Sequence, residues 1–277
     1  MFAKLLKHEW KDNYKLLSIL SACILGAGIL AAVLLRSLIG IFQQPDASEA
    51  QLLFLIPLYL ALVFVYIAIA AYSVATPYIL LFRFYKSRFT DRGYLMFTLP
   101  VKTHYHFLAP ALNMLIWQVI ALVVSAASIG VAVLFGVNWA ELIGPEVFYG
   151  MDEAFSAMIA ESGPHIFLFM ALSVLSWIIT LVSGVVTPMA CVVIGTTIAK
   201  KHKVLASIGM IYGVNMVSGI ITSIFSMIPQ FMMFADNVNF DLILYLTTVL
   251  NCIVPLATGI VGYILSVKLM KNKLNLP

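Results

Sequence analysis

The sequence predicts an all-α polytopic membrane protein with six transmembrane helices, and three observations predict it. Of the 277 residues, 62% are hydrophobic and only 10% charged. Soluble domains carry roughly 45–50% apolar and about 25% charged residues, so one water-soluble globule could not hide this much apolar surface. Six apolar runs reach the roughly 20 residues that a helix needs to cross a bilayer: 16–41, 52–82, 107–136, 165–199, 204–234 and 242–267. Each run is continuous rather than alternating, which suits helices and not barrel strands. Finally, the charges sort by connection. With six spans both termini share a side, and of the 16 basic residues all but Arg36 fall on that side. By the positive-inside rule both termini are then cytoplasmic, as expected for a multi-pass protein of the plasma membrane. Of the 12 acids, only Glu9, Asp12 and Asp91 share that side.

The first element is an amphipathic segment over residues 1–15. At about 100° per residue, Lys4, Lys7, Lys11 and Lys15 fall within about 80° of one another, with Phe2, Leu6, Trp10 and Leu17 opposite. That pattern predicts an interfacial helix, lysines toward anionic lipid headgroups and Trp10 at the boundary. The apolar run after it is too long for a signal peptide, and no small-x-small cleavage site precedes Arg36, so it is expected to remain as span one. Span two, 52–82, exceeds the bilayer core and is expected to tilt or project.

Between spans two and three lies the long amphipathic connection of the basic side, SRFTDRGYLMFTLPVKTHYHF, residues 87–107. The other internal connection, Lys200-Lys201-His202-Lys203, is very short. On the outer side, Phe155, Met158 and Ile159 share one face of a short helix within 137–164. The apolar stretch Phe231 to Phe234 follows Pro229, so 228–241 reads either as a re-entrant half-helix or as a bend of span five. Pro57, Pro77, Pro110, Pro188 and Pro255 lie inside spans. Ala22-x-x-x-Gly26 and Gly209-x-x-x-Gly213 have the spacing that lets helices approach closely, either within the chain or between two copies.

Several chemistries find no support. No Gly-Lys pair occurs, so the phosphate-loop motif is missing and no enzymatic ATP hydrolysis is expected of this chain. His104 and His106 alternate in a basic loop and read as solvated. The cysteines Cys23, Cys191 and Cys252 have no metal or disulfide spacing. No metal, cofactor or nucleic acid is expected. The interiors of the spans carry amides and hydroxyls such as Gln118, Thr180, Thr187, Asn215 and Asn251, but no acid. Ion-coupled carriers usually keep charges there. A transporter of this composition borrows its energy from a partner.

Residues 91–101, Asp-Arg-Gly-Tyr-Leu-Met-Phe-Thr-Leu-Pro-Val, resemble a stretch of the permease subunits of type-2 ABC transporters, the small six-span exporter type. Those also begin with a basic amphipathic segment, and the resemblance covers the chain from end to end. The family often has Glu directly before the glycine, where this chain has Arg92 after Asp91. The resemblance implies that 84–101 is a cytoplasmic coupling helix docked in a groove of a separate ATPase, which holds the ATP and magnesium. Leu95, Met96 and Phe97 give an apolar knob, Arg88, Asp91 and Arg92 give rim charges, Gly93 and Tyr94 complete the motif, and Pro100 stops the helix. Lys200, Lys201, His202 and Lys203 would be a second cytoplasmic contact. The implied assembly has a second permease chain, identical or related, and a pathway along spans two and five, with Tyr72 and Asn215 as candidate contacts. The alternatives are a stand-alone channel or secondary carrier, or a non-transporting subunit that senses a ligand.

Overall fold

The structure is a computed structural model that describes residues 2–44, 49–90, 93, 102–137, 139, 150, 152–153, 156, 165–199, 201–232 and 240–272. Six long helices follow in order: α1 Phe2–Phe42, α2 Glu49–Arg88, α3 Thr103–Gly136, α4 His165–Ile198, α5 Lys203–Met232 and α6 Phe240–Asn272. All six are long and apolar enough to cross a membrane, and no strand occurs among the described residues. The chain is an all-α polytopic membrane protein. The expected outer helix at Phe155, Met158 and Ile159 lies outside the described residues.

Helix α1 is one 41-residue element, roughly 60 Å long. The amphipathic segment is therefore helical, but no break separates it from span one. Lys4, Lys7, Lys11 and Lys15 are exposed. On the opposite face, expected to rest in lipid, Leu17 is buried and Phe2, Leu6 and Trp10 are half-buried, while the neighbouring Leu5, Glu9, Asn13 and Ser21 are buried too. Trp10, expected among headgroups, stacks on Trp117 with ring centroids 4.9 Å apart. Composition cannot distinguish a face covered by lipid from one covered by protein, because both solvents accept the same apolar side chains.

The described residues fall into two compact units. The unit formed by 7–80 and 116–153 contains most of α1 and α2 and the second half of α3. Its centre is Ala31, Leu62 and Ala132, with Leu34, Leu35, Val65 and Tyr66 around them. Small residues let α1 and α3 meet. A Cβ on Gly28 would lie 2.7 Å from the Ser128 Cα, and Ser128 Oγ donates to the carbonyls of Ile24 and Val124. Tyr72 is buried, and its hydroxyl hydrogen-bonds Ser21 Oγ at 2.6 Å, tying α2 to α1. Hydrogen bonds between membrane helices average roughly 0.6 kcal/mol and reach about 1.7 kcal/mol. A double-mutant cycle of Tyr72→Phe and Ser21→Ala, read by thermal unfolding in detergent, is expected to give a coupling of that size.

The other unit comprises 1–6, 81–115 and 154–277. Here α4 packs against both α5 and α6. Ser183 Oγ donates to the Pro255 carbonyl at 2.6 Å, and Gly259 and Gly262 sit against Ser183 and Ala190. Gly195 is buried against Ser207, where its missing Cβ would lie 2.6 Å from the Ser207 Cα. Pro229 lies inside α5, which continues to Met232. No separate half-helix starts at Pro229 among the described residues; 233–239 lie outside them.

Neither predicted small-residue pair packs within the chain. Ala22 is exposed, and a Cβ added at Gly26, Gly209 or Gly213 would meet nothing within 4 Å. Close helix approach occurs instead at Gly28 with Ser128 and at Gly195 with Ser207. The four-residue spacing marks a smooth helix surface, and that surface here faces away from the chain's own helices.

Candidate functional site

Two features stand at the lysine-bearing connections, both inside the unit of 1–6, 81–115 and 154–277. The first is a buried clamp at the two ends of the connection between α2 and α3. The last turns of α2 place Leu81, Phe84 and Arg88 on one face by their three- and four-residue spacing, and all three are buried. Phe84 meets Phe89 edge-on at 5.7 Å and Phe107 at 6.3 Å. Phe107, with no exposure, continues to Tyr263 of α6 at 5.8 Å. Phe2 packs on Tyr105 at 5.3 Å, so the start of α1 braces the first turn of α3. Helical bonding of α2 runs on to Phe89, whose N–H donates to the Tyr85 carbonyl, and the Gly93 N–H donates to the Thr90 carbonyl.

Arg88 lies deep in this clamp, with no exposure. It is not the exposed rim charge that its place in a hydrophilic stretch suggested. The phase of α2 decides this, because Arg88 continues the inward face of Leu81 and Phe84. His106, which precedes the third apolar run, is also buried. The expectation of a solvated histidine is corrected accordingly. Gly93 is buried as well. Asp91, Arg92, Tyr94, Leu95, Met96, Phe97 and Pro100 lie outside the described residues, and so does Lys200.

The second feature is an open groove of about 650 Å³ between the end of α2 and the start of α5. Tyr85, Phe89 and Thr90 form one wall; Lys201, His202, Lys203, Val204, Leu205 and Ile208 form the other. The structure thus brings the short lysine loop beside the exit of α2, two places that the sequence holds far apart. Lys201 and His202 are exposed, Lys203 is half-buried, and Leu205 is 70% exposed. The described lining residues include no acidic side chain. The Ala206 N–H donates to the His202 carbonyl, so α5 starts directly at the loop.

Gly195 and Ser207, which sequence reasoning missed, fix the hairpin behind this groove. They are equidistant along the chain from Lys201. A tight connection between antiparallel helices forces such positions to face each other, so two small residues placed symmetrically about a short loop were the available signal. Of the two pathway candidates, Tyr72 is held by Ser21, while Asn215 is exposed on α5.

Compared with known protein families, with curated proteins and with solved structures, the chain finds no match in any of the three.

Proposed function

We propose that this chain is the permease subunit of an ABC exporter, driven by a separate ATPase that docks on residues 91–101. The clamp at the two ends of that segment carries the reading. Phe84, Arg88 and Phe89 at its entrance and His106 and Phe107 near its exit are held in one packed cluster that reaches α6 through Tyr263. A force applied to 91–101 would therefore pass into the ends of α2, α3 and α6 rather than be lost in a slack loop. Close-packed side chains transmit displacement in this way because they do not compress.

The remaining parts of the assembly belong to the same reading. Both termini are cytoplasmic, and the membrane is the plasma membrane. Two permease chains enclose the pathway. Asn215 on α5 supports this, because an exposed amide in a span is costly against hydrocarbon and is relieved by an aqueous lumen or a second chain.

The test is site-directed crosslinking in the native membrane. A photoreactive residue at position 97 is expected to capture an ATP-binding cassette protein, identified by mass spectrometry. Phe97→Ala and Asp91→Lys, examined by co-purification with that ATPase, are expected to lower its recovery at least tenfold. Full recovery with both variants removes the docking site from 91–101. Substrate flux through the purified chain in vesicles without any ATPase removes the exporter reading altogether.

A further inference from the structure

We propose that α4 and α6 bend as one body about a paired proline hinge latched by the Ser183 hydroxyl. The halves of both helices far from the lysine loop then swing together against the rest of their unit. The hinge stands without the exporter reading; it requires only that α4 and α6 lie side by side.

Each helix carries a proline inside it, Pro188 in α4 and Pro255 in α6. Proline has no N–H, so the carbonyls four residues earlier, of Gly184 and Asn251, lose their helical donor. Membrane helices bend most readily at such turns. Contacts between the two helices advance in step. Phe169 meets Tyr245 edge-on at 6.3 Å, Ser183 Oγ reaches the Pro255 carbonyl at 2.6 Å, and the Cβ of Ala190 faces Gly262. The helices therefore run parallel and in register. By that register the weakened turn of α6, 251–255, ends where that of α4, 184–188, begins, and Ser183 bridges the two.

Packing changes at the same level. No residue of 166–182 in α4 is buried, whereas Val185 and all of Met189 to Val193 are. The half of the pair next to the lysine loop is also anchored from outside it, by Gly195 against Ser207 of α5 and by Tyr263 against Phe107 of α3. The far half is joined within the pair by Phe169 and Tyr245. Gly259 lies against Ser183, and packing this close leaves neither helix free to bend alone. Ser183 supplies the latch. Thr180 and Thr196 donate to carbonyls of their own helix, but the Ser183 hydroxyl crosses to α6. A helical serine can equally donate to the carbonyl four residues back, here Ile179. The hydroxyl thus stays bonded in both positions of the hinge, which keeps the exchange cheap.

The test is pulsed electron spin resonance on the purified full chain in lipid nanodiscs. Spin labels are carried on noncanonical residues at three exposed positions, Leu168 of α4, Ile228 of α5 and Leu242 of α6. Leu168 lies about 24 Å along α4 from the weakened turn, so a bend of about 20° moves it by roughly 8 Å. The 168–228 distance is expected to show two peaks, and the 168–242 distance one narrow peak. Pro188→Ala/Pro255→Ala should merge the two 168–228 peaks into one, in a chain that still folds because alanine favours helix. Ser183→Ala should change the ratio of the two peaks about threefold, the weight of one hydrogen bond between membrane helices. Thr247→Val, which removes a hydroxyl bonded to the Ile243 carbonyl of its own helix, should not change it. A single narrow 168–228 peak in the parent chain, or two peaks that persist in the double alanine variant, overturns the hinge. A 168–242 distance as broad as 168–228 overturns the pairing of the helices, and a Ser183→Ala ratio equal to the parent's overturns the latch.

Discussion

Phe107→Ala is expected to destabilise the chain by about 2 kcal/mol. Phe107 has no exposure and joins Phe84 of α2 to Tyr263 of α6. In a water-soluble core much of the cost of such a change comes from lost transfer out of water. Between membrane helices that part largely vanishes, since lipid is as apolar as a neighbouring side chain. What remains is the unfilled space, which costs roughly 24 cal/mol per Å³; removing a benzyl ring leaves on the order of 100 Å³. Phe107→Leu refills most of it and should cost clearly less. Phe135→Ala provides the control, because Phe135 is 66% exposed and its ring is replaced by lipid or detergent without penalty. Thermal unfolding in a mild detergent measures all three. Equal melting of Phe107→Ala and Phe135→Ala would show that the clamp holds nothing together. Under the exporter reading, Phe107→Leu has a second consequence: it should leave the ATPase bound but reduce substrate export per ATP, because docking survives while transmission loosens.

That the chain has six helices long and apolar enough to cross a membrane could be read from the sequence, because a continuous apolar run leaves few other folds. A run such as 107–136 has few other ways to satisfy its backbone, and α3 does cover it. Which face of each helix packs was not legible. Lipid and protein select the same side chains, so the exposed Phe135 and the buried Phe107 look alike in sequence. Polar residues gave a misleading cue for the same reason. Arg88 and His106 sit in a charged, amphipathic connection, yet helical phase turns both inward. Trp10 has the amphipathic character of a headgroup anchor, but another tryptophan covers it. The groove was missed as a unit because its walls, 85–90 and 201–208, come from distant parts of the chain. Only its basic loop was visible, through Lys201, His202 and Lys203.

Gly195→Ala and Gly209→Ala are expected to change stability in opposite directions, although both replace a glycine in a membrane helix. Helix propensity alone favours alanine by roughly 0.8–1.0 kcal/mol. At Gly209 nothing lies within 4 Å of the added carbon, so the isolated chain should gain close to that amount. At Gly195 the same carbon would meet the Ser207 Cα at 2.6 Å and its backbone nitrogen at 2.7 Å. Backbone cannot swing aside as a side-chain tip can, so α4 and α5 must separate or shift in register. Overpacking of this kind costs typically about 1–3 kcal/mol, and its upper half exceeds the propensity gain. The net expectation is a loss of about 1–2 kcal/mol, read as a lower melting temperature in detergent. If Gly209→Ala instead lowers the melting temperature of the assembled protein but not of the isolated chain, the open face of α5 is occupied by a second copy. If both variants melt alike, the Gly195–Ser207 contact does not hold the α4–α5 hairpin.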